Sequence, residues 1–235
     1  PHFQTNEDLP DPSELTWTSG GWKRGDLSLE RAGASQRISS YEAVDRIIGL
    51  LADTLQFPKL ESIVVTGHSA GGQYAHRFAA TSPVEIEADH LRFRYIVANP
   101  STYLYIGPER AIQPGGPFGI PDREACPTYN EWHYGFEDRN TYALRLTEEE
   151  IRSRLLGRDV IYLVGTADVE DAWLDMSCGA MLQGRHRYIR GLNLFAFLNA
   201  FFPQHQHQLF EIQDIGHSST GMYQSEIGKQ VLFQW

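Results

Sequence analysis

Residues 62–80, SIVVTGHSAGGQYAHRFAA, constrain the fold more than any other stretch of the chain. Ile63, Val64 and Val65 are β-branched, and three in a row suit a strand buried on both faces, central in a sheet rather than at its edge. The residues from Gln73 on are good helix formers, so the chain must turn sharply within Gly67-His68-Ser69-Ala70-Gly71. Such a turn holds Ser69 in a strained, exposed position. Gly67 and Gly71 are expected to be glycine because a side chain at either would collide with the neighbouring strand or helix backbone. Gly-x-Ser-x-Gly alone is a weak signal, and an ordinary glycine-rich turn is the alternative; between a strand and a helix, the motif specifies a geometry.

A serine hydroxyl at its normal pKa is a poor nucleophile, and it needs a general base and a group to orient that base. Both follow in the chain. Residues 159–168, DVIYLVGTAD, read as a strand over Val160–Val164 followed by a glycine-containing loop that carries Asp168. Asp171 and Asp175 are alternatives, but Asp168 is the first carboxylate after the turn. Residues 208–217, QLFEIQDIGH, give a weaker strand and then Gly216-His217. Of nine histidines, only His217 follows a late strand with glycine before it. Asp214 reads as a turn residue, and His68 as packing or support beside the elbow. His205 and His207 alternate like one strand face, yet no third metal ligand of suitable spacing accompanies them, and they read as a wet loop.

On these residues the chain resembles the α/β-hydrolase-fold serine hydrolases, with an elbow, GHSAGG, similar to those of esterases, lipases and polyester depolymerases. The resemblance covers roughly residues 38–100 and 159–235. It implies a mostly parallel sheet flanked by helices, Ser69 as nucleophile, Asp168 as acid, His217 as base, and the Ala70 N–H as an oxyanion donor. It implies no cofactor and no metal.

The remaining sequence fits one domain. With 235 residues and 41% apolar content there is enough chain for a large core. A net charge of −10 argues against a nucleic-acid partner or a basic membrane-binding patch. No run of apolar residues is long enough to span a bilayer. Ser39 with Glu42 predicts a capping box opening a helix whose stripe is Val44, Ile47, Ile48, Leu51 and Leu55. A strand is expected over residues 93–98, a short capped helix over 147–156, a largely buried segment over 190–202, and a terminal helix over 218–233.

Residues 99–158 resemble the family least. The prolines and glycines scattered over 99–146 predict loop, at the position where such hydrolases carry a lid or pocket wall. Tyr103, Tyr105, Phe118, Trp132, Tyr134 and Trp173 are candidates to line an aromatic cleft there, with packing of the loop on itself as the alternative. Cys126 in this insertion and Cys178 after the acid loop both fall on the catalytic side, which allows a disulfide stapling the insertion; two separate buried thiols are the alternative. A secreted or extracytoplasmic location is the expectation, and a cytoplasmic one the alternative.

The fold calls for strands ahead of the elbow strand and a second oxyanion donor on a loop after one of them. Only one helix and a loop-rich stretch precede Ile63. Thr18-Ser19-Gly20-Gly21-Trp22 superficially resembles a glycine oxyanion loop, but residues 23–38 leave no room for the helix and strand that should follow. The expectation is therefore a domain lacking its N-terminal strands, completed by an N-terminal fragment of the same protein or a second chain; unusual strands within residues 3–30 are the alternative. The expected activity is hydrolysis of a small or polymeric carboxylic ester through an acyl-enzyme. A non-catalytic binding protein with the same fold, and acyl transfer or C–C cleavage by the same residues, are the competing readings.

Overall fold

The computed structural model describes residues 1–11, 13–30 and 36–234. After an N-terminal segment carrying two 3-10 turns, the elements run α1 (Ser40–Leu51), β1 (Ser62–His68), α2 (Ala70–Thr81), α3 (Val84–Glu87) and β2 (Arg92–Ala98). Then come β3 (Arg110–Ala111), β4 (Phe118–Gly119), α4 (Glu148–Gly157), β5 (Val160–Gly165), α5 (Cys178–Met181), α6 (Arg187–Phe201), β6 (Gln208–Ile212), α7 (Ser219–Gln224) and α8 (Glu226–Phe233). The main sheet has the order β1-β2-β5-β6, and every pairing is parallel. β3 and β4 form a separate small antiparallel ribbon.

Side chains alternate between two cores, as a pleated strand requires. Phe93, Tyr95 and Val97 of β2 and Val160 and Tyr162 of β5 join α1, α2, α4 and α6 in the larger core. Ile96, Ala98, Ile161 and Leu163 face Met222 of α7 and Val231 of α8 in the smaller one. Helices thus cover both faces, and the strands' C-terminal ends converge on one edge of the sheet.

Local sequence explains most boundaries. Thr147 and Glu150 form the reciprocal capping box of α4. Ser39 caps α1 by accepting from the Tyr41 N–H, without the reciprocal Glu42 bond expected. The terminal helix expected over 218–233 is two helices, because the Ser225 hydroxyl accepts from the Gly228 N–H and donates to the Met222 carbonyl, capping α8 and ending α7.

The expected lack of strands ahead of the elbow strand bears directly on β1. It is an edge strand: among the described residues its only strand partner is β2. Residues 3–30 supply no sheet strand there among those described, only 3-10 turns and isolated bridges such as Thr5–Trp17. Phe3 and Trp22, stacked with centroids 5.4 Å apart, pack near this edge and leave a largely apolar cleft of about 420 Å3 against Val65 and Tyr74. Residues 31–35, part of the 23–38 stretch expected to hold neither helix nor strand, lie outside the described residues. Among the described residues no helix is long and apolar enough to cross a membrane.

Candidate active site

Ser69 sits between β1 and α2 with φ 57° and ψ −117°, a left-handed conformation that a non-glycine residue adopts only when its surroundings enforce it. The enforcement is visible. The Ser69 N–H donates to the Ala98 carbonyl at 2.9 Å, and a Cβ on Gly67 would lie 2.2 Å from the Gly71 backbone. The second close approach belongs to Gly72, whose added Cβ would lie 2.7 Å from the Ala98 carbonyl oxygen. Gly71, expected to be sterically required, faces open space.

His217 and Asp168 reach Ser69 from two loops at the same sheet edge. The Asp168 carboxylate, fully buried, accepts from His217 Nδ1 at 2.8 Å, and His217 Nε2 lies 2.9 Å from the Ser69 hydroxyl. The structure brings these three together and leaves the alternatives outside: Asp171 is exposed, and Asp175 accepts from the Tyr134 hydroxyl and the Ser177 N–H. Asp214 is a left-handed turn residue, its N–H donating to the Thr166 hydroxyl. The His68 ring lies 4.6 Å from that of His217, and burial, then the His217 charge, push its pKa down to about 4, so it is a neutral neighbour.

Two residues that motif reading missed hold this arrangement. Asn99, buried at the end of β2, accepts from the Gly165 N–H through Oδ1 at 2.9 Å and donates from Nδ2 to the Gly216 carbonyl at 3.4 Å. It joins the exits of β2 and β5 to the loop carrying His217. Arg187, also fully buried, donates to the second Asp168 oxygen at 3.4 Å and to the Glu170 and Ala172 carbonyls. Asn-Pro directly after a strand hinted at the first; nothing local points to Arg187, 19 residues beyond its partner.

The aromatic cleft expected around Tyr103, Trp132 and Trp173 is not formed as such. Tyr103 and Tyr105 are fully buried in the larger core, where Tyr103 packs on His76 and Tyr162. Trp132 is half-buried and ties down the N-terminal segment by donating to the Arg24 carbonyl at 2.9 Å. Trp173 is 93% exposed and does line a cleft, but apart from Leu174 its neighbours there are polar: Lys23, Arg24, Gln73, Ser101, His133 and Asp175. Cys126 and Cys178 are joined as a disulfide, linking the 99–158 region to the loop beyond Asp168. His207 is buried rather than wet, with Nδ1 near the Tyr162 hydroxyl and Nε2 donating to the Leu155 carbonyl. Among the described residues no group of His, Cys, Asp or Glu is arranged to hold a metal ion.

No protein-family model matches the chain, and no curated protein is significantly similar to it. Solved structures are. A poly(3-hydroxybutyrate) depolymerase, LpqC, from Bordetella parapertussis superposes with a TM-score of 0.60 at 24% identity, over 83% of this chain and 56% of that one. Poly(aspartic acid) hydrolase-1 from Sphingomonas sp. KT-1 gives 0.59 and 24%, over 85% and 65%. The chain therefore spans less than two thirds of the length of these two structures. With its four parallel strands flanked by helices, it has the α/β-hydrolase fold.

Proposed function

We propose that this domain is a serine hydrolase cleaving carboxylic esters through an acyl-enzyme. The observation that carries the reading is His217 placed between the Ser69 hydroxyl and the Asp168 carboxylate, with a hydrogen-bond distance on each side. His217 Nε2 takes the Ser69 proton as the oxygen attacks the ester carbonyl, then returns it to the departing alcohol; a water activated by the same nitrogen releases the acid. Asp168 holds the imidazole tautomer, and Arg187 and Asn99 hold the loops. The Ala70 N–H lies in the first turn of α2, where backbone donors have no intrahelical acceptor, and is offered to the oxyanion, a contribution of about 3 kcal/mol in comparable sites.

Support for a polymeric substrate comes from the names of the similar structures, and support for an extracytoplasmic setting from the disulfide. In this reading residues 99–158 wall the pocket. A strand from outside these residues completes the outer edge of β1, and the loop after it brings the second oxyanion donor; activity from the 26.7 kDa chain as a lone monomer would remove that partner. A fluorophosphonate probe tests the central claim. Labelling should be lost in Ser69→Ala, and labelling that persists in that variant refutes the assignment.

A further inference from the structure

The cleft beside the proposed nucleophile is electropositive, in a chain whose net charge is −10. It encloses about 440 Å3. Its wall includes Gln73, one helical turn from Ser69, and Ser101, three residues beyond the Ala98 carbonyl that accepts the Ser69 N–H. Lys23 and Arg24 line it as well. Asp175 is the one carboxylate among its lining residues, and among the described residues no carboxylate lies within ion-pair distance of Lys23 or Arg24.

The wall is built rather than incidental. Four side chains fix the backbone of the two cations: the Tyr41 hydroxyl and Arg77 donate to the Lys23 carbonyl, and Trp132 and Asn140 to the Arg24 carbonyl, at 2.8–3.4 Å. Behind them Arg77 is fully buried and donates to neutral acceptors, Gln73, Thr102 and the His133 carbonyl. Two buried polar atoms here lack any partner: Arg24 Nε, and Nδ1 of His133, a residue that lines the cleft although it is only 3% exposed. Burial, then the charges of Arg77, Arg24 and Lys23, hold that imidazole neutral. A buried polar atom without a partner costs free energy unless a ligand meets it.

We propose that this cleft is a carboxylate subsite, binding a free carboxylate carried by the ester substrate. The proposal rests on Ser69 being the nucleophile. With Arg77 sealed behind and Asp175 alongside, the surplus charge suits a monoanion, and Arg24 offers the planar fork that a carboxylate matches. One helical turn, roughly 5 Å, separates Ser69 from Gln73, so the carboxylate sits a few bonds from the scissile carbonyl. The class is thus monoesters of short dicarboxylic acids, or esters of short hydroxy acids with the acid free.

The test uses pairs matched in carbon chain: mono-4-nitrophenyl glutarate against 4-nitrophenyl pentanoate, and 4-acetoxybutanoate against butyl acetate. One acidic member should be favoured by about tenfold or more in kcat/KM, falling to near parity in Arg24→Gln and in Lys23→Met/Arg24→Met, and persisting in Lys23→Arg. Ratios taken within each protein cancel any general loss of activity. Equal or lower rates for both acidic esters, or a ratio unmoved in the double variant, overturn the subsite. An NMR titration of Ser69→Ala with glutarate and with sulfate reads the cleft without turnover. Glutarate alone shifting the Lys23 and Arg24 amides supports it, and sulfate acting equally reduces it to a general anion site and overturns the substrate assignment. If Ser69 is not the nucleophile, every ester fails while this titration still responds.

Discussion

β5 and β1 are similar apolar runs in one parallel sheet, yet their fates differ. Every residue of β5 is buried, whereas β1 is half-buried with Thr66 exposed. β5 has a strand on each side, packed helices on both faces, and the Asp168 loop at its end. Among the described residues β1 has one strand neighbour, and a loose aromatic cleft where a second would lie. Even so, the residue directly after β1, Ser69, is held at positive φ. The difference teaches that the Ser69 conformation is enforced from the β2 side and through the contacts of α2, not by enclosure of the strand before it.

This contrast can be broken by experiment. The largest effect is expected at the buried ion pair of the enclosed half. Arg187→Met leaves the buried Asp168 carboxylate with the His217 hydrogen bond but no full cation, and should cost about 3–5 kcal/mol in urea unfolding, the range for breaking buried pairs. Arg46→Met, breaking the exposed Arg46–Glu42 pair on α1, should cost less than about 0.5 kcal/mol. Equal losses would mean the two halves are not differently sealed.

A pH dependence comes next. Burial, the largest influence, lowers the His207 pKa to about 4, while its ordinary value in the unfolded chain is ~6.5. The unfolded state therefore binds the proton more readily. The stability is fully present above ~6.5 and is lost as pH falls from there through about 4, on the order of 3 kcal/mol from this group. His207→Gln should flatten that part of the curve, and an unchanged slope between pH 6.5 and 4 would place the acid sensitivity elsewhere.

The smallest effect concerns the strands themselves. Val164→Ala in β5 should cost about 2 kcal/mol, and Val65→Ala at the β1 edge under about 1, because the edge cleft already lacks packing atoms. If pairing outside these residues covers the β1 edge in the material measured, the Val65 cost should rise toward that of Val164.

The site was legible where strand, turn and polar residue follow one another in sequence. Ser69, Asp168 and His217 each sit just past an apolar run, so local pattern located them. Arg187 and Asn99 act across the fold, and no local pattern records which carboxylate or carbonyl a side chain will meet. The glycine requirement was misplaced by one residue, since two consecutive glycines, Gly71 and Gly72, do not reveal which one faces the Ala98 backbone. Tyr103 was taken for cleft and is core, because a tyrosine in an irregular loop carries no periodicity to tell its direction. Lys23 and Arg24 lie in a segment with no strand or helix pattern, and their place in the cleft comes from tertiary bonds to Arg77, Trp132 and Asn140.

Asn99 has a consequence for how such a site can fail. One amide side chain is bonded to the exit of β5 and to the residue before His217, while its own strand end receives the Ser69 N–H. Local opening that frees the loop of any one member must break a bond shared with another. The Ser69, Asp168 and His217 loops then behave as a single cooperative unit, intact or lost together, instead of three parts that fray independently.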